Sequence, residues 1–189
     1  MWDHPFQAAN GDFRGADPCA QVMERVLETL QLVDAPPEEA FDKFTRLTTR
    51  FIKVPVALVS FVQEEQDRQY FKSEIGLTGV WAETRQTPLS HSFCQYVKRE
   101  NRPLVVEYAP EDARVCENLA IPDLGVHAYL GIPIHGPDGA ALGALCAIDS
   151  KRRKWSQTDK DVMTDLAACV TDQIRLRAAL CRSHGIPAS

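Results

Sequence analysis

Two short stretches gather most of the side chains able to do chemistry. The first is Ser90-His91-Ser92-Phe93-Cys94, which places two hydroxyls, an imidazole and a thiol at the start of a run with helical apolar spacing. At a helix start, free backbone N–H groups would help Ser90, His91 and Ser92 hold an anion. Cys94, one turn in, becomes a nucleophile if its thiolate is stabilised. The blander reading makes Ser90 a helix cap and puts Phe93 and Cys94 in the core. The second stretch is Arg114 to Leu130, with Cys116, Asn118 and His127 in a loop-rich segment. His91, Cys94, Cys116 and His127 are metal-ligand types, but no pair has the spacing of a known site, so no metal is expected. The spacing also supports no Ser–His–Asp arrangement.

The six cysteines, Cys19, Cys94, Cys116, Cys146, Cys169 and Cys181, include no C-x-x-C pair. That argues against a zinc knuckle or a thioredoxin-type motif and leaves reduced thiols that pack as small apolar groups. A net charge of -5 disfavours nucleic acid as a partner, since that needs a basic face. The one cationic cluster, Lys151 to Lys154, reads as a solvated loop after a strand. No apolar run reaches the roughly 20 residues of a membrane span, and the N-terminus lacks the basic start and apolar stretch of a signal peptide. A cytoplasmic protein with no membrane contact is expected.

The elements that must position these groups follow from periodicity. Residues 1–17 read as a flexible arm. Val22, Val26, Leu30 and Val33 step as a helix over 18–35, with Asp17 and Pro18 at its start, and the helix stops before Pro36-Pro37. A second helix carries Phe41, Phe44, Leu47 and Phe51 on one stripe. "VPVALVSFV" reads as a central strand and "QYFKSEIG" as its alternating neighbour. Residues 77–90 form a long connection, of the kind that often carries function. A short helix, a third strand "RPLVVEYA" and a helix-loop follow. Gly125 to Asp149 then supplies an apolar hairpin turned at Gly136-Pro137-Asp138-Gly139. A long helix from Trp155 to Arg182 closes the chain, with Ser156 and Asp159 spaced as a capping box, before a tail at 183–189. The order predicts an α+β domain at 36–182 around a five-stranded, mostly antiparallel sheet.

These segments together resemble a GAF domain, a relative of the PAS sensor fold, over about residues 37–177. The resemblance rests on "VPVALVSFV", "QYFKSEIGL", "TPLSHSFCQYV", "RPLVVEYAPEDARVCENLAI" and "GVHAYLGIPIHGPDGAALGALCAID" with the helix start "RKWSQTDKDVM". It looks most like the modules found beside bacterial histidine kinases and diguanylate cyclases. It implies terminal helices on one sheet face and short helices and loops roofing a small-molecule pocket on the other. Phe61, Ser92, Phe93, Cys94, Cys116, Asn118, Tyr129 and Cys146 are the expected pocket residues. Alternation puts Tyr129 opposite Leu130 and Cys146 opposite Leu145, without saying which set faces the pocket.

The implied function is a sensory or regulatory module without catalysis or cofactor, binding a small ligand and signalling to a partner such as a kinase or cyclase. Free methionine-(R)-sulfoxide reductases, which are enzymatic GAF domains, use cysteines in the two segments that hold Cys94 and Cys116. Their glycine-rich surroundings are missing here. In bilin-binding GAF domains the attachment cysteine lies ten residues before a valine, as Cys116 lies before Val126, but Glu117 replaces the usual stacking histidine. The phosphodiesterase-type cyclic nucleotide signature is absent. On the last helix, Val162, Leu166, Cys169, Gln173, Leu176 and Leu180 form a seam, while Met163, Val170 and Ile174 lie on a neighbouring face. Two apolar faces suggest two partners, the sheet and another helix, and so a homodimer through helices 19–34 and 156–181.

Overall fold

The first helical run folds as α1, Pro18–Thr29, in the computed structural model, which describes residues 18–183. The expected arm at 1–17, with the proposed cap Asp17, and the tail beyond Ser183 lie outside the described residues. The helix ends well short of residue 35. Gln31 turns left-handed (φ 51), its N–H bonds Glu28 O at 2.8 Å, and the Leu32 N–H bonds Leu27 O at 2.8 Å. That pair of bonds is a Schellman cap, and its usual apolar contact is present, because Leu27 and Leu32 are both buried. Leu32 and Val33 therefore enter the core from a loop. Helix α2, Glu39–Ile52, buries Phe41, Phe44, Thr45, Thr48 and Ile52. Phe51, expected on that stripe, is instead exposed, since Ile52 takes the inward position one residue on.

The sheet has six strands, not five: β1 Val56–Gln63, β2 Arg68–Ile75, β3 Gln86–Pro88, β4 Leu104–Val106, β5 Ala128–His135 and β6 Ala141–Asp149. Their spatial order is β3-β2-β1-β6-β5-β4, and every pairing is antiparallel. The extra strand, β3, comes from the long connection, which also holds the short helix α3, Val80–Thr84. Helices α4, Cys94–Glu100, and α5, Ala120–Leu124, follow, and α6, Gln157–Ser183, is the long terminal helix. The expected capping box forms there: Asp159 N–H donates to Ser156 Oγ at 3.0 Å, and Ser156 N–H donates to Asp159 Oδ2 at 2.9 Å.

The β5–β6 hairpin is nearly free of charge because both its faces are covered. On one face, Val59, Phe61, Leu130, Leu145 and Ala147 pack with Phe41 of α2 and with Met163, Val170 and Ile174 of α6. On the other, Leu58, Val62, Phe71, Tyr129 and Cys146 pack with Phe93, Cys94 and Val97. The terminal helices thus clad one side and the short helices the other. The structure chooses the Tyr129 and Cys146 set for the roofed side. Phe61 points the other way, among the terminal helices, which corrects its placement in the pocket. In β1 the roof-facing residues are Leu58, Ser60 and Val62, so Phe61 falls on the odd-numbered, helix-facing set.

One ion cluster ties the helical face together. Lys72 of β2 is fully buried, and its Nζ lies 2.5 Å from Glu38 Oε1 at the start of α2. Glu38 also takes Arg177 of α6 on both carboxylate oxygens. Lys72 Nζ further donates to Gln31 O at 3.0 Å and Pro36 O at 3.4 Å. Three elements distant in sequence, the α1–α2 linker, β2 and α6, converge on one carboxylate.

Candidate functional site

The roofed side encloses a cavity of about 30 Å³. Its walls are apolar, with Val56, Leu58, Phe71, Val126 and Ile148 among them, and the lining residues Val56, Leu77, His91 and Leu124 are only half-buried. The volume holds one or two waters as the chain is folded. Its floor is polar. Cys94 Sγ accepts from Ser60 Oγ at 3.1 Å and from Gln69 Nε2 at 3.4 Å, lies 3.1 Å from Tyr129 Oη, and is 3.9 Å from Cys146 Sγ. Burial alone would raise the Cys94 thiol, but hydrogen bonding with Cys146, Ser60, Tyr129 and Gln69 outweighs it and holds the group below its ordinary value. Burial drives Cys146 well above its ordinary value, and Tyr129 likewise.

Two polar atoms on the cavity wall, Gln69 Oε1 and Thr87 Oγ1, are buried and have no hydrogen-bond partner among the described residues. They are cross-strand neighbours, Gln69 of β2 opposite Thr87 of β3. An unpaired buried acceptor costs about 1–3 kcal/mol, so this wall favours a guest that brings donors.

Tyr129 reaches Cys94 because Gly131, two residues along the same face of β5, lets the phenol ring lie flat over it. A Cβ at Gly131 would meet Tyr129 Oη at 2.2 Å and ring carbons at 2.6 Å. Phe93 then stacks on the ring, with centroids 5.2 Å apart and planes tilted by 32°. Gly131→Ala must therefore push the ring off its seat. The expected result in a urea melt is a loss of about 1–3 kcal/mol from overpacking. Unchanged stability would mean that the ring does not need that seat.

Of the expected pocket residues, Phe93, Cys94, Tyr129 and Cys146 meet at the cavity. Ser92 is buried beside it as a cap: its Oγ accepts from Gln95 N–H at 3.1 Å, the role expected of Ser90. Ser90 Oγ instead lies 3.0 Å from His91 Nδ1, whose other nitrogen, Nε2, lies 2.9 Å from Asp123 Oδ2. Asn118 braces the roof without lining the cavity, donating to Ser92 O at 3.1 Å and accepting from Ala120 N–H at 3.0 Å. Cys116 is exposed, so it does not join Cys94. The metal-ligand types are likewise dispersed: His127 Nδ1 lies 2.8 Å from Ser150 O, and no group of three His, Cys, Asp or Glu side chains gathers among the described residues. Gln69 and Thr87 were missed. Thr87 could be placed only by seeing β3.

The model of the GAF domain family matches residues 36–174. The chain belongs to the GAF domain family. Among curated proteins, it is 30% identical over 128 residues to the cyclic di-GMP phosphodiesterase PA2567 of Pseudomonas aeruginosa, a match covering 67% of this chain and 21% of that enzyme. The chain therefore spans about a fifth of the length of this bacterial relative. The free methionine-R-sulfoxide reductase of Neisseria meningitidis, solved with its substrate, superposes with a TM-score of 0.58 at 14% identity, covering 86% of this chain and 95% of that one. The blue-light-absorbing PixJ GAF domain of Thermosynechococcus elongatus superposes with a TM-score of 0.61 at 14% identity, covering 85% and 92%. At such identities these likenesses concern the GAF fold alone. No helix among the described residues is long and apolar enough to cross a membrane.

Proposed function

We propose that this GAF domain is a ligand-responsive regulatory module rather than an enzyme. Its signal is a small donor-bearing molecule received under the roof, and its output passes through α1 and α6. The observation that carries this reading is the pair of unpartnered buried polar atoms on the cavity wall, the amide oxygen Gln69 Oε1, which needs a donor, and the Thr87 hydroxyl. At about 30 Å³ the cavity takes little more than water unless the roof, residues 77–91, lifts. A ligand that favours the lifted roof shifts the helix arrangement only by its differential affinity for the two states. The test is native mass spectrometry of protein from its own host, with Thr87→Val as control. A retained small molecule that Thr87→Val loses supports the reading. No retained small molecule on the parent, or one that Thr87→Val keeps equally, sinks it.

The small volume favours a second reading, a scaffold whose pocket is filled by its own side chains and whose surface docks a partner. For the reductase alternative, turnover of free methionine sulfoxide with a thiol reductant, lost in Cys94→Ser, would replace both readings.

The output proposed is a homodimer through the outer faces of α1 and α6, coupled to a signalling enzyme of the kind named by the phosphodiesterase relative. Val22 and Leu176 are 53% and 56% exposed, and Cys169 is exposed, whereas Met163, Val170 and Ile174 of α6 are buried against the sheet. Of the seam expected on α6, Val162 and Leu166 pack half-buried against the core, while Cys169 and Leu176 are exposed among the described residues. Leu176→Glu is expected to turn a dimer into a monomer in analytical ultracentrifugation while the far-ultraviolet circular dichroism of the domain stays that of the parent. A parent chain that sediments as a monomer removes the dimer from the proposal.

A further inference from the structure

The cavity floor brings two thiols close together. Cys94, at the start of α4, and Cys146, on β6, are both fully buried, both line the cavity, and place their sulfurs 3.9 Å apart. We propose that Cys94 and Cys146 form an oxidisable dithiol, which hydrogen peroxide converts to a disulfide that pins α4 to the centre of the sheet. This goes beyond the regulatory reading and holds whether or not the cavity takes a ligand.

Geometry comes first. A disulfide needs sulfurs about 2.05 Å apart, so roughly 2 Å of closure is required. Helix α4 has only seven residues and sits directly on the roofed face through Cys94 and Val97. A short element of that kind can shift as a unit. The two sulfurs are also differentiated. Ser60 and Gln69 donate to Cys94 at 3.1 and 3.4 Å, and the Tyr129 hydroxyl lies 3.1 Å away, able to donate to a thiolate, which favours Cys94 as the nucleophile. Cys146, held protonated by burial, is the resolving partner. Access follows from the cavity itself. About 30 Å³ lined in part by the half-buried Leu77, His91 and Leu124 admits a molecule near the size of water.

The chemistry balances without another reactant. The Cys94 thiolate attacks one peroxide oxygen; the S–O bond forms as the O–O bond breaks, and the departing hydroxide takes a proton to become water. Cys146 sulfur then attacks the Cys94 sulfenic acid. The S–S bond forms as the S–O bond breaks, and a second water leaves with the Cys146 proton. Two thiols and one hydrogen peroxide give one disulfide and two waters. Ser60, Gln69 and Tyr129 lose their shared thiolate acceptor in the process, so the floor must repack as α4 is drawn inward.

The experiment uses the full chain with Cys19, Cys116, Cys169 and Cys181 replaced by serine. The reduced protein is treated with hydrogen peroxide, unfolded in an alkylating reagent and digested without reductant. The expected result is loss of both alkylatable thiols together, a linked peptide joining Cys94 to Cys146, and full recovery of both thiols in dithiothreitol. In Cys146→Ser, Cys94 should stop at the sulfenic acid and be trapped by dimedone. Two thiols that stay alkylatable, or a sulfinic acid at Cys94 with no linked peptide, overturn the proposal. If Cys146→Ser fails to fold, the linked-peptide arm on the parent chain decides alone.

Discussion

Replacing Glu38 with glutamine should lower the unfolding free energy by about 3 kcal/mol, the low end of what breaking a buried ion pair costs. The reason lies with Lys72, not Glu38. Lys72 is fully buried, and burial lowers its affinity for a proton, while Glu38 is the anion that offsets this. Glutamine keeps an oxygen in place but not the charge, so the ammonium is left with two backbone carbonyls, those of Gln31 and Pro36. Arg177, partly exposed, loses its fork-to-fork partner as well. If the cause is the stranded charge, adding Lys72→Met to the glutamine variant should restore a large part of the loss. If the double variant is no better than the single, packing and not electrostatics holds this corner.

The same carboxylate makes the fold acid-sensitive in a defined window. The hydrogen bonds and charge of Arg177, helped by Lys72, lower Glu38 from 4.5 to about 2. A depressed folded value means that the stabilisation is complete above pH 4.5 and drains away as the pH falls from 4.5 towards 2. A shift of that size corresponds to about 3 kcal/mol at most, and to about 2 kcal/mol after allowing for the exposed part of the carboxylate. Urea melts at pH 7 and pH 3 should show the parent losing stability and the glutamine variant losing distinctly less. Equal losses in the two proteins would remove Glu38 as the acid-labile group.

Strong periodic signals made most of this domain readable before its structure. The apolar runs of β1, β5 and β6 are long and uninterrupted because both faces of the central sheet are covered, so nothing masks them. The capping box of α6 is local chemistry and folded as spaced. Where the signal failed, it failed for identifiable reasons. Strand β3 has three residues and ends in Pro88, too short for alternation to register and closed by a residue that cannot donate. Its loss hid Thr87, and with Thr87 half of the unpartnered wall. Helix α1 stopped early because Gln31 accepts a left-handed turn that no glycine announced. Phe61 was misplaced because a strand apolar on both faces offers no polar side to mark which way it points. Cys116 and Cys94 were linked through the positions reductases use, but the fold leaves Cys116 in solvent and puts Cys146 beside Cys94.

Phe93 is the residue through which roof packing and cavity size can be separated. It is buried, lines the cavity and stacks on Tyr129 at 5.2 Å. Phe93→Ala should cost about 3–5 kcal/mol, since the phenyl ring leaves and the surrounding strands cannot collapse to fill its place. The enlarged hole keeps apolar walls in Val56, Leu58, Phe71, Val126 and Ile148. A dry apolar cavity of that kind accepts small aromatics such as benzene. Benzene should therefore raise the thermal midpoint of Phe93→Ala and leave the parent unmoved; a hundredfold excess over the dissociation constant is worth about 2.7 kcal/mol. A parent protein stabilised equally by benzene would mean that the roof already lifts far enough to admit a ring, and the self-filled scaffold would be the reading to abandon. A loss below about 1 kcal/mol in Phe93→Ala, far from the range for a packed phenyl, would instead show the ring to be loosely held, and the roof over Cys94 to be open without any ligand.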